Sequence, residues 1–190
     1  MMLLIASENS QRLKLLVDDI LDVEKLMAGQ MAFQQDNVNV ERLVTNAIAA
    51  NQGYADQYGV FVVDGNHSNM STMIADEHRL MQVMSNFISN AVKYSPEKGC
   101  VRIITQCDGG KIRISVEDNG EGVPLAFRDK IFAHFSQADT SDTREKGGTG
   151  LGLAISKEII ERQGGLIGFT SLPGQGATFY FEFDISETKT

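Results

Sequence analysis

The sequence is poor in tryptophan, proline, histidine and cysteine. Its 190 residues include no tryptophan, three prolines, three histidines and two cysteines. Cys100 and Cys107 occupy opposite faces of one predicted strand, roughly 23 Å apart, so a disulfide between them is excluded. We therefore expect reduced thiols, as in a cytosolic protein. So few cysteines and histidines also argue against a metal cluster.

Long apolar runs and excess positive charge are equally scarce. No stretch approaches the roughly 18 apolar residues of a membrane span, and the segment 1–8 lacks the basic flank of a signal peptide. A net charge of -8 disfavours general nucleic-acid binding, although a local site could still hold a nucleotide. We expect a cytoplasmic globular protein with no membrane contact of its own, whose parent could be anchored in the inner membrane.

The first 29 residues are predicted to form one long helix that ends at Gly29. Its apolar residues recur at alternating spacings of four and three, namely Leu13, Leu16, Ile20, Val23 and Met27. These are the a and d positions of a heptad, which favour a partner helix from another chain or from sequence outside this one. Packing of the helix on its own domain is the alternative.

The remaining segments predict an α+β fold. Helices are predicted over 40–58, 76–95 and 151–163, strands over 60–63 (buried) and 70–74, and hairpins over 101–107/112–117 and 166–172/178–185, after a connector at 30–39. This order indicates a two-layer α/β sandwich. Its mixed, mostly antiparallel sheet would be covered by helices on one face.

Two amides share one face of the predicted helix 76–95. Asn86 and Asn90 are four residues apart, and an amide oxygen is a suitable ligand for Mg²⁺, which takes its other ligands from water and phosphate. Lys93, one turn later, would add a charge for phosphate. Taken alone, these residues are equally compatible with two solvated asparagines near a helix end.

Two turns could hold a base. The segment 118–124 directly follows a predicted strand, and its glycines let the backbone approach a ligand. The Asp118 carboxylate could accept a hydrogen bond from an exocyclic amine such as that of adenine. In the turn 174–179, Thr178 could present its hydroxyl to the same base. Each segment alone is also compatible with an ordinary turn.

A further segment, 147–153, has four glycines in six residues and leads into a helix. Backbone N–H groups at a helix N-terminus form an anion site, so this segment could cradle phosphate. It lacks the Lys-Ser/Thr of a Walker A loop and follows a loop instead of the strand of a Rossmann turn. A flexible hinge is the alternative.

Taken in chain order, the four segments resemble the N, G1, G2 and G3 boxes of the histidine kinase catalytic domain, a relative of the gyrase, heat-shock chaperone and mismatch-repair ATPases; 147–153 matches G2 and 174–179 matches G3. The segment 131–135 resembles the F box, with Ala133 where an acidic residue is common. The resemblance implies a catalytic ATP-binding domain over 38–186 and a linker over 30–37. Residues 1–29 resemble the second helix of the dimerisation and histidine phosphotransfer domain.

The resemblance implies ATP and Mg²⁺ as cofactors and gives each box a role. Asn90, assisted by Asn86, would bind the metal, and Lys93 would contact phosphate. Asp118, helped by Thr178, would bind the adenine amine. Further nucleotide-binding residues would be Tyr94, Gly120, Gly122, Val123, Ile131, Gly148, Thr149, Gly150, Leu151 and Gly152. Residues 133–149 would form a lid, from which Arg144 and Lys146 could reach the γ-phosphate.

A histidine kinase also needs a phosphoacceptor histidine, normally in an H-E/D-x-R/K-x-P context. His67, His78 and His134 do not match it. We therefore expect an N-terminally truncated chain that does not autophosphorylate and that transfers the γ-phosphoryl group to a histidine of the parent's phosphoacceptor domain. A response regulator aspartate would then receive the group, and the N-terminal helix could mediate a homodimer. The alternatives are an ATPase or serine kinase of the superfamily, or an inactive nucleotide-binding scaffold.

Overall fold

The computed structural model describes residues 2–65, 72–133, 136 and 149–186, with α1 side chains described at Leu13 and from Leu16 onward. The helices are α1 Met2–Met27, α2 Val40–Gln57, α3 Glu77–Tyr94 and α4 Gly152–Arg162, with a 3-10 helix at Leu125–Lys130. The strands are β1 Asp36–Asn39, β2 Phe61–Asp64, β3 Thr72–Ala75, β4 Cys100–Asp108, β5 Lys111–Glu117, β6 Leu166–Ser171 and β7 Ala177–Asp184. Each predicted helix and strand is present, with bounds that shift by at most two residues.

The main sheet has five strands in the order β2-β4-β5-β7-β6. Strand β2 runs parallel to β4, and the other pairs are antiparallel. The mixed, mostly antiparallel α+β fold is therefore confirmed. Strands β1 and β3 form a separate antiparallel ribbon, which the sequence analysis did not distinguish.

One face of the sheet carries the core because side chains alternate along each strand. Alternate residues of β5 and β7 are buried against the helices. Phe87 of α3 is fully buried, and its ring centroid lies 5.6 Å from that of Phe179 and 6.3 Å from that of Phe181. Helix α3 is thereby fixed across the middle of the sheet.

Strand β2 is less buried than the four apolar residues of the predicted strand 60–63 indicate. Phe61 and Val63 are 61% and 38% exposed, and Val62 between them is buried. The strand forms an edge of the sheet, and its outer face has no helix in the described part of the chain to cover it. The prediction of a buried strand was therefore wrong for this outer face.

Hydrogen bonds of Asp76 fix the start of α3. The Asp76 carboxylate caps the helix, accepting a 3.0 Å bond from the Arg79 N–H. The other oxygen accepts from the Gln34 N–H at 2.9 Å, and the Asp76 N–H donates to Gln163 Oε1 at 2.6 Å. These bonds tie α3 to the connector and to the end of α4.

Helix α1 packs partly on its own domain. Leu26 is 3% exposed, and Asp22 accepts a 2.7 Å bond from Gln82 of α3 and lies 3.4 Å from the Arg79 guanidinium. The heptad positions Leu13 and Ile20 remain 62% and 49% exposed. The packing of α1 on its own domain therefore holds for the face with Leu26 and Asp22, and a partner helix stays a prediction. Within the described ranges, no helix is long and apolar enough to cross a membrane.

Candidate functional site

Asn86 joins α3 to the glycine-rich start of α4. Its side-chain N–H group donates to the Gly152 carbonyl at 3.1 Å and to Ser156 Oγ at 3.2 Å. A Cβ on Gly152 would lie 3.3 Å from the Asn86 amide, so a side chain there would crowd this contact. The structure therefore brings the first amide of the N box against the G2 box.

The second amide, that of Asn90, is available to a ligand. Asn90 lies one helical turn further along the same face of α3, half-buried and without a hydrogen-bond partner in the described part of the chain. The Lys93 ammonium lies 4.8 Å from the centroid of the Tyr94 ring, which is 41% exposed. One amide, one cation and one aromatic ring thus surround the end of α3.

The loop after β5 passes directly under the end of α3. A Cβ on Gly120 would overlap the Tyr94 carbonyl oxygen, so the close approach requires glycine. Gly120 is buried in this contact. The N and G1 boxes, separate in sequence, are therefore in direct backbone contact.

Asp118 is fixed by two backbone donors, one in the loop after β5 and one on β7. Its Oδ1 accepts from the Gly120 N–H at 2.8 Å and from the Ala177 N–H at 3.2 Å, and the Asp118 N–H donates to the Ala177 carbonyl. Burial raises the pKa of the Asp118 carboxyl, and its bonds to Gly120 and Ala177 oppose that rise. Within the described ranges Oδ2 accepts no hydrogen bond, so it is available to a ligand.

Gly176 allows Asp118 to approach the last hairpin. Its φ is +79°, and a Cβ there would overlap the Asp118 carbonyl oxygen. Both features exclude a side chain at this position. The G3 glycine is thus needed to place the carboxylate.

The predicted cooperation of Thr178 with Asp118 is wrong in its geometry. Strand β7 alternates, with Ala177 and Phe179 buried on the helix-covered face and Thr178 on the opposite face, across from Glu117. Ala177 is the residue that contacts the Asp118 carboxylate. The sequence alone did not fix the register of the strand, and a shift of one residue exchanges the two faces.

Ser171 is a site-forming residue that the sequence analysis missed. Its hydroxyl accepts from the Val123 N–H at 2.8 Å and donates to the Gly176 carbonyl at 2.8 Å. The Ser171 carbonyl accepts a bond from the Arg128 guanidinium. Ser171 thereby fastens the G1 loop to the G3 turn, which no local motif could indicate.

The apolar wall of the site lies beside this hydroxyl. Val123 and Ile131 are 7% and 8% exposed, and the neighbouring Phe132 packs edge-on against Phe169 and Phe179, with centroids 6.0 and 6.4 Å apart. Gly122, with a φ of +76°, lies against Ser171. The start of the F box is therefore part of the core, without an acidic residue at position 133.

The described part of the G2 box runs from Thr149 into α4. Thr149 Oγ1 accepts from the Leu151 N–H at 3.1 Å and donates to Asp19 Oδ2 of α1 at 2.7 Å. Leu151 is 1% exposed, and Gly150 has a φ of +70°. The first turn of α4 is thus anchored by a buried leucine and faces the amides of α3.

Several predicted residues lie outside the described ranges. They are Gly148, Arg144, Lys146, His67 and His134, together with most of the predicted lid. His78 is described, and it is exposed in the first turn of α3. The two cysteines are free, as expected.

The described residues fit a magnesium-bound adenine nucleotide. Asn86 and Asn90 offer neutral oxygen ligands on one face of α3, with Asn86 against the start of α4, and Asp118 Oδ2 offers an acceptor beside a loop whose glycines allow close backbone contacts. A Cβ on Gly152 would lie only 3.3 Å from the Asn86 amide, so the backbone of the G2 box passes close to this amide. Such an arrangement can bind a phosphate chain at one end and a base at the other.

Comparison with known proteins agrees with this geometry. The sequence model of the family described as histidine kinase-, DNA gyrase B- and HSP90-like ATPase matches residues 75–187. The chain belongs to this family and carries its catalytic ATP-binding domain, which confirms the resemblance drawn from the four boxes.

Its similar relatives include sensor histidine kinases. The chain is 36% identical over 174 residues to the circadian input-output histidine kinase CikA of Synechococcus elongatus, with 90% of the chain and 23% of that protein covered. It is 33% identical to sensor histidine kinase WalK of Bacillus subtilis, with 97% and 30% covered. The chain therefore spans less than a third of either relative.

The fold similarity covers nearly the whole chain. The crystal structure of full-length ShkA in complex with AMPPNP matches with a TM-score of 0.83 and 34% identity, covering 96% of this chain and 38% of that one. The Acinetobacter baumannii histidine kinase AdeS matches with a TM-score of 0.76 at 22% identity, which shows the shared fold alone. Helix α1 is thus included in the region of similarity to ShkA.

Proposed function

We propose that this chain is the ATP-binding catalytic part of a sensor histidine kinase and transfers the ATP γ-phosphoryl group to a histidine outside the chain. The observations that support it best are two contacts between distant segments, Asn86 with Gly152 and Asp118 with Gly176. The close approach of Gly120 to the Tyr94 carbonyl brings the G1 loop against the helix that carries Asn86, an arrangement that suits a nucleotide site. The family membership and the names of the relatives support the same reaction class.

The nucleotide would lie along the cleft with its base at Asp118. The carboxylate would accept from the adenine amine through Oδ2, while Val123 and Ile131 would contact the ring. The phosphates would lie toward the start of α4, where backbone N–H groups favour negative charge. Lys93 and Tyr94 would border the path between the two ends.

Asn90, with Asn86 beside it, would hold Mg²⁺. When bound, the ion would neutralise charge on the phosphates during transfer. The residues of the chain would position ATP and exclude water, because phosphoryl transfer needs alignment more than covalent assistance. An external imidazole nitrogen would form the new N–P bond as the bond to the β-γ bridging oxygen breaks and ADP leaves.

The remaining assignments of the chain follow from this function. Residues 1–29 would belong to a dimerisation and phosphotransfer domain, 30–37 to a linker and 38–186 to the catalytic domain. The acceptor domain of the same parent protein and a response regulator receiver domain would be its partners. A second copy could pair through the exposed stripe that contains Leu13 and Ile20. We further propose a cytoplasmic location.

Hydrolysis is the second candidate, and Asn86 disfavours it. In ATPase relatives a glutamate four residues before the metal-binding asparagine activates water, and an amide cannot act as a base at neutral pH. Intrinsic phosphate release by this chain should therefore be slow. Serine kinase activity and a scaffold role without activity remain as alternatives to be tested.

Labelling with γ-labelled ATP and Mg²⁺ tests the proposal. The chain alone should remain unlabelled, whereas a separately purified phosphoacceptor domain from a sensor kinase should acquire an acid-labile, alkali-stable label. Asn90→Ala should abolish transfer, and the exposed Asn37→Ala should not. Binding of ATP without transfer would contradict the kinase assignment, and rapid phosphate release would favour an ATPase.

A further inference from the structure

A buried serine on α4 faces the Asn86 amide. Ser156 lies one helical turn after Gly152 and is fully buried, on the apolar side of the helix. Its hydroxyl contacts two polar groups, the Gly152 carbonyl at 2.8 Å and Asn86 Nδ2 at 3.2 Å. A hydroxyl at a core position is costly unless it is hydrogen-bonded, so these two contacts account for its presence there.

The Gly152 carbonyl decides how the hydroxyl is used. A serine hydroxyl has one hydrogen, and a carbonyl oxygen can only accept. Ser156 therefore donates its hydrogen to Gly152, the common arrangement of a serine inside a helix. Toward Asn86, the Ser156 oxygen can act only as an acceptor.

Two acceptors of α4 thus face the Asn86 amide. The Gly152 carbonyl and Ser156 Oγ lie 3.1 and 3.2 Å from Nδ2. The two ends of an amide have nearly the same shape, so the neighbouring donors and acceptors decide its orientation. A flipped amide would place Oδ1 against two oxygens with no hydrogen to share. Within the described ranges Oδ1 itself accepts no hydrogen bond, so the oxygen is the end available to a ligand.

This orientation separates two ways in which Asn86 could act on Mg-ATP. An amide nitrogen would donate to a phosphate oxygen, whereas an amide oxygen would bind Mg²⁺ or one of its water ligands. The nitrogen of Asn86 faces α4, so the oxygen is the atom suited to the ligand. The orientation therefore favours a role at the cation.

We propose that Ser156 is a positioning residue that holds the Asn86 amide with its oxygen toward the metal ion, and that it thereby strengthens the Mg²⁺-dependent part of ATP binding. The inference rests on the proposed function, because it requires Mg-ATP beside Asn86. Ser156 is fully buried and acts through Asn86 without contacting the ligand. Without the hydroxyl, the Gly152 carbonyl would remain as the single acceptor, and the flipped amide would become more populated.

Titration of the full chain with ATP in Mg²⁺ and in EDTA separates this role from a structural one. By calorimetry, Ser156→Ala should weaken binding in Mg²⁺ by about threefold to tenfold, as expected for the loss of one hydrogen bond. Binding of ATP in EDTA, and of adenosine by ligand-observed NMR, should stay within about twofold of the wild type, because neither involves the metal. A merely structural role would weaken all three.

Ser85→Ala is the matched control. Ser85 Oγ accepts a 3.3 Å bond from Asn51 Nδ2, and that nitrogen also donates to the Ala47 carbonyl at 2.8 Å. The same combination of serine, amide and carbonyl therefore joins α3 to α2, on the side of α3 that faces away from α4. Ser85→Ala should change Mg-ATP affinity by less than about twofold.

Two further substitutions keep the test decisive. Ser156→Thr retains the hydroxyl, so it should restore the Mg²⁺ dependence. Ser156→Cys preserves the size of the side chain but bonds weakly, so it should behave like Ser156→Ala. The cysteine variant decides the question if the alanine variant does not fold.

A double variant tests whether Ser156 acts through Asn86. Added to Asn86→Ala, Ser156→Ala should cause less than about twofold further loss of Mg-ATP affinity. An additive loss would overturn the inference, as would unchanged Mg-ATP binding in Ser156→Ala or an equal loss in EDTA. Failure of the proposed function has a different signature, because the wild type would then bind neither ATP nor adenosine.

Discussion

The carboxylate of Asp118 gives a discriminating test of the base pocket. Asp118→Asn retains an oxygen that can accept from the Gly120 and Ala177 N–H groups, at 2.8 and 3.2 Å in the wild type. The substitution replaces the available oxygen with an amide N–H group. That group would meet the adenine amine donor to donor, so the loop is preserved while recognition is lost.

The expected loss is that of one hydrogen bond to a charged acceptor, about 1.5–3 kcal/mol. This corresponds to a decrease in ATP affinity of about 10-fold to 150-fold. Inosine triphosphate has a carbonyl oxygen where adenine has its amine, so it should gain affinity for the variant relative to ATP. The preference for ATP over inosine triphosphate should therefore fall sharply.

Competition against a fluorescent nucleotide measures both affinities on one protein sample. Asp108→Asn is the control, because Asp108 is exposed at the β4 end of the hairpin and carries the same charge. The reasoning is refuted if Asp118→Asn binds ATP within about twofold of the wild type. An unchanged ratio of ATP to inosine triphosphate would equally place the base elsewhere.

The remaining predictions concern pH, the loop contact and the core. Burial raises the pKa of Asp118 above its ordinary value of 3.8, so ATP affinity should fall on acidification through that raised pKa, and titration of Asp118→Asn should lack this limb. Because this pKa is higher in the folded state, protonated Asp118 stabilises the fold below pH 3.8, and that stabilisation is lost as the pH rises through the pKa of the folded state. Asp118→Asn should therefore have a higher Tm than the wild type at pH 7. A lower Tm would contradict the direction of the pKa shift. Ser171→Ala leaves the Val123 N–H without its partner and should cost about 1–3 kcal/mol in urea unfolding and weaken adenosine binding, while the exposed Thr170→Ala should do neither. Phe87→Ala should lower the free energy of unfolding by about 3–5 kcal/mol, and a loss below about 1 kcal/mol would show that α3 is not anchored through this ring.

Local patterns predicted the helices and strands well, because each depends on short-range physics. The predicted helices 76–95 and 151–163 each lie within one residue of the observed bounds. The four-residue spacing of Asn86 and Asn90 correctly placed both amides on one helical face.

Long-range pairing was beyond local patterns. The register of β7 decides whether Thr178 or Ala177 meets Asp118, and both choices fit the same turn sequence. Ser171 connects Val123 and Gly176 across separate loops, so its role depends on the tertiary structure. The exposed face of β2 likewise follows from its position at the edge of the sheet. The apolar sequence of 60–63 does not indicate that position.

The central claim is that residues of α3, α4 and the two glycine loops surround one magnesium-bound adenine nucleotide. A crystal structure of the chain grown with a non-hydrolysable ATP analogue and Mn²⁺ tests it most directly, since anomalous scattering locates the metal. The account predicts the metal in coordination contact with Asn90 Oδ1 and the adenine amine hydrogen-bonded to Asp118 Oδ2. A nucleotide bound elsewhere, or one in this cleft whose metal does not contact the amides of α3, would contradict it.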